Sequence, residues 1–177
     1  MGTAPDSGSD LTDAQQAGLD ARHADQDRTL AAMHRLEAAL GAAAPGRQAP
    51  WREDVVDALR VLDDATAEED ANARQPDSLL SDIKRTQPRL RTRVRGVRAQ
   101  YAHLRRALGE LRSEIEAAGD VDQDFADVRQ RLAWVLTALR HQRARESDLV
   151  YEAYLDAFDA DLAREASTSP PDPHRPR

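Results

Sequence analysis

Leu90, Val94, Val97, Tyr101, Leu104, Leu108, Leu111 and Ile115 follow one another in alternating steps of four and three residues. That spacing keeps eight side chains on one stripe of an α-helix and on nothing else, because a strand repeats every second residue. A helix with such a stripe has to bury it against other helices, in the manner of an antiparallel bundle seam. At about 1.5–3 kcal/mol for each fully buried side chain, this segment is the expected spine of the core. A second seam of the same kind runs through Val128, Leu132, Val135, Leu139, Gln142, Glu146, Leu149 and Ala153. Two of its members are polar, which an ordinary core helix avoids.

The rest of the chain fits the same class. Thr12-Asp13-Ala14-Gln15 has the form of a capping box and opens a helix expected to run to Leu40, with Gly41 as its stop. Its apolar spine is read as Leu19, Leu30, Met33 and Leu40, with His23 and Gln26 filling the helical spacing. Residues 41–51 hold two prolines and two glycines and read as a loop. A second helix begins near Arg52, with Val55, Leu59, Leu62, Thr66, Glu69 and Ala73 on one face; that face turns polar halfway along. A short helix over 78–85 closes before Pro88. The last helix is expected from Asp120 or Asp122 to Glu165, either broken near Ser147 or overhanging the others. No alternating β-branched run predicts a strand. The expected fold is all-α: an up-down-up-down four-helix bundle over 11–165, with a short connector helix between its second and third long helices. Residues 1–10 and the Pro-rich 166–177 are expected to be disordered.

Composition narrows the chemistry. With 40% hydrophobic residues but only 4% aromatic, the core must be aliphatic. The absence of cysteine excludes disulfides, thiolate metal sites and a cysteine nucleophile. Of 25 basic residues all but Lys84 are arginine, which reads as GC-rich coding bias. A net charge of −7 with interspersed signs argues against a nucleic-acid partner. The five arginines between Arg89 and Arg98 read as a solvated helix face. No apolar run approaches the roughly 18 residues of a membrane span. Residues 1–6 lack a basic, apolar leader pattern, so the expectation is a cytoplasmic protein with no membrane partner. Phosphate-binding glycine loops, G-x-S-x-G and H-E-x-x-H are all missing, and no enzyme is expected.

The polar residues near the seams carry what functional signal there is. His141 and Glu146 are five residues apart, about 500° of helix rotation, so they flank one inward stripe about 140° apart. Around them the chain resembles the hemerythrin-like (HHE cation-binding) family over residues 15–155. The resemblance rests on helix lengths and on Met-His-Arg-Leu-Glu-Ala-Ala-Leu at 33–40, Asp-Ser-Leu-Leu at 77–80 and Gln-Pro-Arg-Leu at 87–90. It is completed by His141-x4-Glu146 running into Asp-Leu-Val-Tyr-Glu-Ala-Tyr at 148–154. It implies a non-haem iron centre inside the bundle, with His141, Glu146, Glu68 and His34 as metal ligands and His23 as the alternative to His34. The match is partial. Asp64 stands where a histidine four residues before Glu68 belongs, Tyr101 holds the inward position of the third long helix, Arg105 cannot ligate a metal, and His103 lies on the flank. The implied function is therefore a non-catalytic bundle with a reduced or lost iron site. The alternative is a metal-free structural or interaction bundle whose polar core residues hydrogen-bond to one another, with His141 and Glu146 read equally well as exposed charges among Arg140, Arg143 and Arg145. Tyr151, Tyr154, Phe158 and Leu162 suggest a homodimer or protein-partner contact at the end of the last helix.

Overall fold

The structure is a computed structural model that describes residues 11–42, 48–117 and 125–168, with side chains to residue 155. Five α-helices and one 3-10 turn make up the described chain, and no strand is present among the described residues: α1 (Asp13–Gly41), α2 (Gln48–Ala73), α3 (Leu79–Thr86), the turn Pro88–Leu90, α4 (Arg91–Ala117) and α5 (Phe125–Thr168). The all-α expectation holds. Residues 1–10 and most of the Pro-rich tail lie outside the described residues, and α5 continues through 166–168.

Local chemistry sets the helix ends. The Thr12 hydroxyl accepts from the Gln15 amide at 3.2 Å, and the Gln15 side chain accepts from the Thr12 amide at 3.0 Å, a reciprocal capping box. Ser78 caps α3 by accepting from the Ser81 amide. Pro88 opens the 3-10 turn, where a missing N–H costs nothing. Two boundaries differ from expectation. α2 starts four residues before Arg52, and Trp51, read as loop, is buried in its first turn. There it meets Phe125 edge-on at 5.1 Å and carries the Arg129 guanidinium over its ring. α5 does not break at Ser147; its one non-helical residue is Tyr154, at φ −122° and ψ 20°.

α1 packs on α2, α2 on α4 and α4 on α5, while α3 wedges against α1, α4 and α5. The apolar interior has two parts. The larger draws Met33 and Leu36 from α1, Val55, Leu59 and Leu62 from α2, Leu104 to Ile115 from α4 and Val128 to Leu139 from α5. The smaller joins Leu19, Leu79, Leu80, Ile83, Leu90, Val94, Leu149, Ala153 and Tyr154. Seven of the eight expected α4 seam residues are buried, Val97 being half-buried, and every α5 seam residue is buried.

Helix α1 is the exception. Its inward residues are Leu19, Arg22, Asp25, Thr29, Ala32, Met33 and Leu36, so Leu30 and Leu40 are only half-buried and His23 is exposed. The expected dimer contact is also changed. Tyr154 is buried and donates its hydroxyl to Asp82 Oδ2 at 2.7 Å, so it serves the interior. Tyr151 and Leu155 are exposed, whereas the side chains of Phe158 and Leu162 lie outside the described residues.

Leu59 and Leu132 are fully buried in the larger cluster. Either Leu→Ala change is expected to cost about 2–5 kcal/mol in urea unfolding. Trp134, 58% exposed, is expected to tolerate alanine within about 0.5 kcal/mol.

Candidate functional site: a buried charge layer

Between the two apolar clusters lies a layer of charge. Each long helix supplies it where its inward stripe turns polar: Arg22 and Thr29 from α1, Thr66 and Glu69 from α2, Tyr101 from α4, Gln142 and Glu146 from α5. Arg22 is 9% exposed, Glu69 1% and Glu146 3%. Ions so far from water persist only when they neutralise one another.

Arg22 is the centre. Its Nη1 lies 2.6 Å from Glu69 Oε1, and its Nη2 donates to Glu146 Oε2. One guanidinium thus joins α1 to both α2 and α5, a use of its fork that the single ammonium of lysine does not reproduce. Glu69 Oε2 accepts from the Thr29 hydroxyl at 2.5 Å and from the Tyr101 hydroxyl at 2.8 Å. Gln142 donates to the Val97 carbonyl at 2.9 Å, tying α5 to α4. A rim of weaker pairs surrounds the centre. Asp25 accepts from Asn72 and Arg28, and Asp70 pairs with Arg74 and Arg105.

The electrostatics follow from burial. Desolvation disfavours the Arg22 charge, yet Glu146 and Glu69 outweigh it and hold the guanidinium pKa above its ordinary value. Burial, and then the Glu69 carboxylate, push the Tyr101 hydroxyl upward, so it remains a donor. Burial also raises the Glu146 carboxyl, against the pull of Arg22 and with a further push from Glu69.

The residues expected to hold iron are not brought together. His34, His141 and Glu68 are exposed, as are His23, His103 and Asp64. Glu68 pairs at the surface with Arg28 at 2.8 Å. Only Glu146 of the expected set faces inward, and a cationic side chain already meets it. Among the described residues no group of three or more His, Asp or Glu is placed to hold a metal. The donor set does not fit an iron centre, since two carboxylates facing a guanidinium have no imidazole beside them. The physical reason is register. The α1 stripe passes through Arg22 and not through its neighbour His23, and His141 sits a quarter turn beyond the α5 stripe that carries Gln142.

The sequence pattern did not single out Arg22, and the Tyr101 hydroxyl finds its acceptor in Glu69, one residue beyond the Glu68 expected as a ligand. A signal existed. Stepping back from Leu36 and Met33 by alternating four and three gives Thr29, Gln26, Arg22 and Leu19, the same rhythm as on α4.

Two outcomes test the layer. Arg22→Met leaves two buried carboxylates unpaired and is expected to cost about 3–5 kcal/mol. Adding Glu69→Gln and Glu146→Gln should recover part of that loss in urea unfolding. The second concerns pH. Glu146 has a raised folded-state pKa, so it binds its proton more tightly folded than unfolded. Its stabilising contribution is fully present below the unfolded value and is lost as pH rises through the folded value. The stability of the native chain relative to Glu146→Gln should therefore fall as pH rises from that acid range toward neutral. Parallel profiles would contradict the assignment. Compared with protein-family models, with characterised proteins and with solved structures, the chain matches none.

Proposed function

We propose that the chain is a metal-free, non-catalytic four-helix bundle of up-down-up-down form that serves as a structural or protein-interaction module. The observation that carries this reading is the Arg22 guanidinium seated between Glu69 and Glu146. A built-in cation there supplies the positive charge that the inward carboxylates need. The exposure of His34, His141 and Glu68 points the same way. The bundle form is supported by the way the larger cluster takes the second half of α1, the first of α2, the second of α4 and the first of α5. The hemerythrin-like resemblance enters only as ancestry. On that view Glu146 is the inward acid of the old site, and Arg22 has replaced its metal.

No described helix is long and apolar enough to cross a membrane. The exposed Tyr151 and Leu155 on α5 are the proposed contact for a second copy or another protein.

The test is elemental analysis of aerobically purified protein beside His141→Ala, with thermal unfolding in chelator and in added ferrous iron. Substoichiometric iron at most, and an unchanged midpoint throughout, are expected. A full complement of iron with near-ultraviolet oxo-bridge absorption, lost in His141→Ala, would overturn the reading. For the partner face, sedimentation of the native chain and Leu155→Glu is informative. A monomer in both cases removes the second copy from the proposal.

A further inference from the structure

The charge layer surrounds a cavity of about 10 Å³, lined by Arg22, Glu69, Glu146, Tyr101, Arg98 and Ala73 among others. That is about the room one water molecule needs. Four of these side chains bring buried atoms without a hydrogen bond: Arg22 Nε, Glu69 Oε1, Glu146 Oε1 and Arg98 Nε. Arg22 Nη1 and Glu69 Oε1 are in ionic contact at 2.6 Å but are not aligned for a hydrogen bond. Glu146 Oε1 is the more demanding case. Its sister oxygen holds Arg22, while it has no donor of its own.

We propose that this cavity binds a single water molecule, which donates to Glu146 Oε1 and Glu69 Oε1 and accepts from the Nε–H groups of Arg22 and Arg98. The chemistry of the lining selects it. A small anion would face Glu69, Glu146 and Asp70, and a small cation would face the two arginines. Only a neutral molecule that both donates and accepts satisfies both signs, and at this volume water is the one that fits. Buried waters typically make about two to four hydrogen bonds to otherwise unpaired polar groups, and this lining offers four such atoms. The water completes the coordination of Arg22 and gives α5 a second link to the layer, through Glu146. The inference rests on the metal-free reading, because a metal ion would claim the same oxygens.

An atomic-resolution crystal structure of the full chain, with an anomalous scan for transition metals, tests both. The expected result is one density peak at hydrogen-bond distance from Glu146 Oε1 and Glu69 Oε1, without anomalous signal. Ala73→Val, which fills the cavity from α2, should lack that peak. If the variant does not fold, the native density decides alone. In solution, a water-to-protein nuclear Overhauser effect at the Ala73 methyl, persisting beyond surface-water lifetimes, is the matching observation. A dry cavity, with Glu146 Oε1 paired directly to protein, overturns the water and leaves the metal-free reading standing. An anomalous peak at about 2.0–2.2 Å from the carboxylates, a metal-ligand distance, overturns both.

Discussion

One desolvated guanidinium fixes how four helices meet. Arg22 on α1 reaches Glu69 on α2 and Glu146 on α5, and Glu69 in turn holds Tyr101 on α4. Apolar packing alone is permissive, since a leucine stripe shifted by one turn still finds leucines to meet. A buried ion is not permissive, because a shifted register would strand it among aliphatic side chains at a cost of several kcal/mol. The layer therefore specifies the arrangement more than it strengthens it, the role best attested for polar residues inside helical assemblies. Its position between two apolar clusters also keeps it away from bulk solvent, which is what makes the choice of register steep.

How far the sequence reveals this depends on which residue types advertise a position. The α4 and α5 stripes were legible residue by residue because leucine and valine mark them, and Gln142 and Glu146 stood in the α5 rhythm as visible anomalies. The polar turn of α2 at Thr66 and Glu69 was equally plain. α1 hid its face. Alanine is neutral between inside and outside, and arginine is so seldom buried that it reads as surface. The histidines drew attention as metal ligands, yet each sits off its stripe. Phase, and not residue chemistry, separates Arg22 from His23 and Gln142 from His141. The loop before α2 misled for another reason: Pro50 lies in the first helical turns, where proline is accepted, so it marked a beginning rather than a gap.

The surface shows the same preference for arginine in a looser form. Arg131 bridges Glu114 and Asp127, Arg112 holds Asp63 at 2.5 Å, and Arg89 and Arg93 share Glu152. Exposed pairs of this kind contribute little each. They do complement the interior, because several join the same helices that the charge layer joins: α4 to α5 at both ends, and α2 to α4 midway.

The tie among Arg22, Glu69 and Glu146 also has an evolutionary consequence. Losing Arg22 alone leaves two carboxylates inside without their cation, whereas losing either glutamate still leaves Arg22 the other as partner, and changing all three together to fitted apolar residues need not harm the fold. The order of loss is therefore constrained: a glutamate can go first, but Arg22 can go only after both glutamates have been neutralised. Descendants of this chain that keep either buried glutamate should keep Arg22, however far their surfaces diverge.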